Sequence, residues 1–383
     1  KTFCFLYKIM KWRIMNSIRY LIKDMNVYIV LYFFIYFLTL CKTRKNQEKY
    51  LLILVVLIFL YVFRAPSVGL DYFGYVKNFM RMRDNPASWD YYIPCEFGFN
   101  YILYFIKKYI SSQFFIAYGI LGCIYIVGFY NMCRKSFCNI RVALLLFVLL
   151  GSYLLSFNLV RQCFALGVFM FAFSLMDMKK KSRRYILVLM ILLITYFFHN
   201  SMIVLLVIFV YYTPCYDKLF SKRNIILLIL LSVVCFKTKI VVAIGEQLVG
   251  NISYSSKGIS YFLNSVTVEH EEYSFLKLLY ISFFSIYVVC ISKNTNNIFF
   301  FLYIIGIFFL NILGPLRVEF IRLYEIFSCL SIPYLAQLWN ENPVNKLGTY
   351  YKPILLVYSS IIFFNILIKN YGVITPYIFL WQC

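Results

Sequence analysis

The sequence predicts an all-α, polytopic integral membrane protein of about 12 transmembrane helices, with a long outer loop that includes a re-entrant or interfacial helix. Three observations lead there. Of 383 residues, 63% are apolar and only 14% charged, with a mean hydropathy of +0.78; soluble domains are about 45–50% apolar and about 25% charged. The apolar residues form continuous runs rather than alternating ones, which excludes a transmembrane β-barrel. The basic residues gather in short stretches between those runs. A soluble enzyme, a disordered chain and a disulfide scaffold are excluded on the same grounds.

The elements follow in order. Two apolar runs, 27–41 and 50–63, are parted by the basic loop 42–49. A polar and aromatic stretch, 64–113, comes next, and its end, Phe97–Ile110, is amphipathic enough for the re-entrant or interfacial helix. Spans are expected at 114–132, 142–157 and 162–176. The next two, 185–198 and 202–213, are short for a crossing and meet at His199-Asn200-Ser201. Short segments joined by polar residues line cavities rather than lipid. The remaining spans are 224–236, 274–292, 298–313, 323–338 and 353–368, with a second long loop at 237–273.

Orientation follows from charge. The loops 42–49, 132–141, 177–184, 214–223, 293–297 and 339–352 hold 18 of the 38 Lys and Arg and are expected on the cytoplasmic side, with both chain ends outside. The net charge of +23 then faces anionic membrane lipid. No nucleic-acid partner is expected, since no nucleic-acid-binding pattern accompanies the charge. Residues 1–24 are the exception, a basic N-terminal extension carrying Lys1, Lys8, Lys11, Arg13, Arg19 and Lys23. It is expected to lie outside the native protein, with Met15 or Met25 as the start, or else to be a basic amphipathic helix on the cytoplasmic surface. Residues 25–383 are expected to form a single transmembrane domain.

Four groups on the expected outer side carry ionisable residues at or near membrane depth, where they are costly unless used. Arg64 ends a span, and Gly69-Leu70-Asp71-Tyr72 with Tyr75 opens the outer loop. A snorkelling Arg and a solvated turn also explain this group. Arg161-Gln162 sits in a connection too short to leave the membrane surface, where a guanidinium suits a phosphate or diphosphate. A head-group cap is the alternative. His199 interrupts an apolar stretch and suits a general base or a hydrogen-bond donor, or a histidine satisfied by its helix partners. Arg317 and Arg322, with Glu319 and Glu325, follow Gly314-Pro315. Pairing at i,i+3 within the helix would also account for them.

No phosphate-binding loop for an ATP motor and no metal-ligand spacing occurs. The acidic run Glu269-His270-Glu271-Glu272 reads as a solvated turn. No metal and no cofactor are expected, so the substrate must arrive activated.

Together these groups resemble the EpsG family, a branch of the Wzy-type polysaccharide polymerases. The resemblance is carried by RAPSVGLDYFGYVKNF at 64–79, EFGF at 96–99, NLVRQCFALGV at 158–168, FFHNSMIVLL at 197–206 and PY at 376–377. It runs from about Met25 to the C-terminus. One departure is that Arg322 is followed by Leu323-Tyr324-Glu325 and then by Ile326-Phe327, where the family pattern has Tyr-Phe four and five residues on, so Arg317 and Arg322 both stay candidates.

The resemblance implies a multi-pass glycosyltransferase of the bacterial cytoplasmic (inner) membrane. It would join undecaprenyl-diphosphate-linked oligosaccharide units on the outer face into exopolysaccharide, capsule or O-antigen. Arg161, with Arg322 or Arg317, would hold the diphosphate, and Arg64 and Gln162 would help bind substrate. His199 or Asp71 would deprotonate the attacking hydroxyl, while Tyr72, Tyr75 and Trp89 would stack on sugars. A chain-length regulator and a flippase are the implied protein partners. The rival readings are a lipid-linked oligosaccharide flippase, an O-antigen-ligase-like transferase and a non-catalytic scaffold of an export complex.

Overall fold

The computed structural model describes residues 24–40, 46–83, 95–175, 181–214, 216–240, 274–293, 295–314, 318–341 and 346–382. Residues 1–23 of the basic extension, Trp89, the acidic run 269–272 and Arg317 lie outside them. Among the described residues all regular structure is helical, apart from one isolated bridge between Arg64 and Phe379.

Among the described residues each apolar run singled out above is largely helical. Among the described residues two helices, Phe114–Lys135 and Lys346–Ile368, are long and apolar enough to cross a membrane by themselves. The other apolar helices are shorter, among them Asn26–Leu40, Val160–Leu175, Phe275–Ile291 and Ile298–Leu313. The figure of about twelve crossings therefore rests on the sequence.

Two expected spans are not continuous α-helix. The run 142–157 becomes a helix Ile140–Leu149 and a turn Ser152–Leu155, because Gly151 between them takes a left-handed φ of 92°. The run 202–213 becomes a 3-10 helix, Asn200–Val207, followed by a single α turn, Ile208–Tyr211. The polar and aromatic stretch that begins at Arg64 carries helices among its described residues. It holds the amphipathic helix Phe97–Tyr109 and a further helix, Tyr72–Arg81.

The chain forms two compact units, a division that the hydropathy pattern does not announce. The first comprises 1–135, 140–202 and 359–383. In it Phe114–Lys135 and Val160–Leu175 approach at Gly128 and Gly167. A Cβ at Gly128 would run into the Gly167 carbonyl oxygen, so only glycine permits this backbone contact. The second unit comprises 136–139 and 203–358. It joins its helices through buried polar side chains. Asn311 Nδ2 donates to Ser232 Oγ at 2.8 Å and to Ser282 Oγ at 3.2 Å, and Tyr334 donates its hydroxyl to Ser292 Oγ at 2.6 Å. Such interhelical bonds satisfy groups that hydrocarbon cannot.

Candidate functional site

The site lies in the first unit and is organised by Glu96. This residue sits at the N-cap of Phe97–Tyr109 with extended backbone, and its carbonyl accepts the first helical bond from Asn100 N at 3.1 Å. Its side chain makes no cap bond to its own helix. The carboxylate is instead shared between two other elements. Oε2 accepts from an Arg161 guanidinium nitrogen at 2.7 Å, and Oε1 meets His199 Nδ1 at 2.7 Å. The Asn200 amide also donates to Oε1, at 3.3 Å.

Each partner is placed by its own segment. Arg161 leaves the first turn of Val160–Leu175, and its Nε donates to the Tyr75 hydroxyl at 3.0 Å. His199 follows the last turn of Lys181–Phe198, its amide still bonded to the Thr195 carbonyl. Glu96 reaches it because Gly98 lets the two helices touch. A Cβ there would lie 2.6 Å from the Phe197 carbonyl oxygen. Beneath the charges run Tyr75, Phe99, Phe164 and Phe198, with successive ring centroids 5.7, 6.3 and 5.1 Å apart.

Helices Tyr72–Arg81 and Phe97–Tyr109 also brace each other. Lys107 Nζ donates to the carbonyls of Phe79, Met80 and Met82 at 2.8, 3.0 and 3.0 Å, closing the C-terminal end of Tyr72–Arg81. Asn78 Nδ2 donates to Cys95 Sγ at 3.5 Å, and Asn100 Nδ2 to the Cys95 carbonyl at 3.1 Å. One helix thus presents Glu96 at its start and steadies the Tyr75 helix near its end.

The side chains of Arg161, Glu96 and His199 are 21%, 12% and 19% exposed, so the cluster is covered but open to solvent. Burial alone would raise the Glu96 carboxyl. The hydrogen bond and charge of His199, joined by Arg161, outweigh that and bring it from 4.5 down to about 2. Burial pushes the Tyr75 phenol up despite Arg161, which keeps it a neutral acceptor. An ionised carboxylate can only accept, so His199 Nδ1 donates in this contact and Nε2 is the ring nitrogen left to face other groups. Among the described residues no three His, Cys, Asp or Glu side chains converge to hold a metal.

The structure thus gathers Tyr75, Arg161 and His199 and adds Glu96, which the sequence reading quoted in EFGF without assigning it a role. The available signal was a lone carboxylate heading an amphipathic helix in a strongly basic chain. Asp71 is half-buried at the N-cap of Tyr72–Arg81, and Gln162 is buried beside Arg161. Tyr72 and Tyr75 are 4% and 3% exposed, so neither ring offers the open face that sugar stacking needs. Tyr72 packs edge-on against Phe114 and lies 5.0 Å from the Tyr118 ring. Arg64 is 1% exposed and offers no open face to substrate either. Arg322 belongs to the second unit, exposed on Val318–Leu338.

Apolar helices with a carboxylate–imidazole–guanidinium cluster at their ends define a helical membrane protein with a half-buried polar cluster. The chain belongs to the EpsG family, the family of Wzy-type polysaccharide polymerases, whose sequence model matches residues 49–379 and so spans both compact units. That membership points to a polysaccharide polymerase-type function. No curated protein and no solved structure matches the chain.

Proposed function

We propose that this protein is a glycosyltransferase that joins oligosaccharide units carried on a lipid diphosphate, undecaprenyl diphosphate by the resemblance, at the outer face of the bacterial cytoplasmic membrane. The observation that carries the reading is the Glu96 carboxylate held between Arg161 and His199. A hydroxyl of the acceptor sugar attacks the anomeric carbon of the donor. The new C–O bond forms as the bond to the diphosphate breaks, and the diphosphate leaves with that electron pair. The hydroxyl proton passes to His199 Nε2, while Glu96 fixes the ring and stabilises the imidazolium that results. Arg161 offsets the charge growing on the leaving diphosphate. The second cation implied by the resemblance, Arg322 or Arg317, rests on the sequence alone.

The glycan profile of a deletion strain tests this reading. Single repeat units on the acceptor are expected, with polymer restored by the wild-type chain. Loss of all surface sugar would instead indicate a flippase. Polymer accumulating on the lipid carrier would indicate a ligase.

A further inference from the structure

Arg64 is the largest fully buried side chain of the described residues, and the proposed reaction leaves it without a task. Its guanidinium carbon lies 4.0 Å from the centroid of Phe157, 4.3 Å from Tyr118 and 4.7 Å from Tyr61. One terminal nitrogen donates to the Phe157 carbonyl at 3.1 Å, while Nε and the other terminal nitrogen make no hydrogen bond. The C-terminal segment closes over it, with Ala65 N donating to the Ile378 carbonyl and Leu380 N to the Phe63 carbonyl, both at 2.8 Å. A phosphate has no way in, and the surrounding ring faces attract cations rather than anions.

Arg64 does touch the connection that delivers Arg161. The carbonyls of Ser156 and Phe157 accept from the Tyr61 and Tyr118 hydroxyls at 3.3 and 2.7 Å, and Arg64 adds its bond to the second of them. Four residues past Phe157, Arg161 emerges. In the other direction, Arg64 opens the turn that leads to Tyr72–Arg81. That turn is pinned by Gly69 N to the Val373 carbonyl at 3.0 Å and by Leu70 N to Asn158 Oδ1 at 2.7 Å. Its helix carries Tyr75. The two chain segments that meet at Arg64 therefore supply the two ends of the Arg161–Tyr75 hydrogen bond.

The geometry points to Arg64 as a positioning residue that sets Arg161 against Tyr75 and never touches substrate. A cation spread over three rings costs more to bury than an apolar side chain, and it fixes the angle between the two segments as a methionine would not. Its consequence for the reaction rests on the function proposed above; its consequence for the Arg161–Tyr75 bond does not.

Two readouts test it on the full chain in detergent or liposomes. The first is the fluorine NMR signal of 3-fluorotyrosine in place of Tyr75, which senses the bond from Arg161. The second is the split between kcat and KM for a lipid-diphosphate-linked oligosaccharide, with inorganic diphosphate as competing probe. Arg64→Met is expected to shift the fluorine signal and to lower kcat per folded molecule by about 10- to 100-fold, with KM and diphosphate inhibition little changed. Arg64→Lys keeps the charge without the planar stack, so it should give a smaller shift and an intermediate kcat, and it serves where the Met variant does not fold. A raised KM and weakened diphosphate inhibition at unchanged kcat would overturn the inference in favour of a substrate ligand. An unmoved fluorine signal with full kcat would overturn it in favour of a role in folding alone. Full activity of Arg161→Ala would sink the proposed reaction instead, and the fluorine result would still decide the role of Arg64.

Discussion

His199 Nδ1 stands 2.7 Å from Glu96 Oε1, across 103 residues of sequence. This contact turns an isolated histidine into an oriented one. Glu96→Gln keeps the shape of the side chain and removes the charge that fixes the ring. It is expected to slow polymer formation per folded molecule by about 100-fold or more. A rate assay on reconstituted protein checks this; a wild-type rate would remove Glu96 from the mechanism.

The same carboxylate predicts an acid limb. Its proton is released near about 2 in the folded chain against 4.5 ordinarily. A depressed carboxyl stabilises the fold above its unfolded value and loses that contribution as pH falls through the folded one. The stability advantage of wild type over Glu96→Gln should be complete above pH 4.5, shrink as the pH drops and vanish near about 2. Thermal unfolding of the two proteins in detergent at several pH values measures it. An advantage that does not change with pH would contradict the ion pair.

Gly98 provides a steric test. A methyl group there meets the Phe197 carbonyl at 2.6 Å, and backbone cannot rotate away. Gly98→Ala should cost about 1–3 kcal/mol and separate Glu96 from His199, so activity falls more than stability does. Unfolding midpoints and rates measured on the same preparation make the comparison.

Lys107 offers three ammonium hydrogens to three carbonyls that end the Tyr75 helix. Lys107→Met fills the space and leaves those carbonyls without the charge-assisted donor. A loss of about 1.5–3 kcal/mol is expected, along with faster amide exchange confined to 72–83. Exchange mass spectrometry reads both the size and the place of the effect.

Much of the fold was legible in the sequence because hydrophobic runs report helices locally. Runs such as 27–41 and 298–313 match the helices Asn26–Leu40 and Ile298–Leu313 within a residue. The break at Gly151 was not legible, since a glycine inside an apolar run does not announce its φ. Helix Tyr72–Arg81 was missed because much of what holds it is remote: Lys107, Asn158 and Cys95 bind it or the turn before it. At the site, Arg161 and His199 stood out as costly groups in apolar surroundings. Glu96 did not, since a carboxylate in a polar loop looks ordinary until Arg161 and His199, 65 and 103 residues away, are brought to it. Tyr72 and Tyr75 looked like exposed loop aromatics, and only packing against Phe114 and Phe99 shows them covered.

The most direct test places the wild-type chain and His199→Ala in separate liposomes with a lipid-diphosphate-linked repeat unit and follows chain length on a gel. A ladder of lengthening polymer is expected from wild type, and only the single unit from His199→Ala at equal protein. The same ladder from both at neutral pH would contradict His199 as the base and, with it, the role given to Glu96.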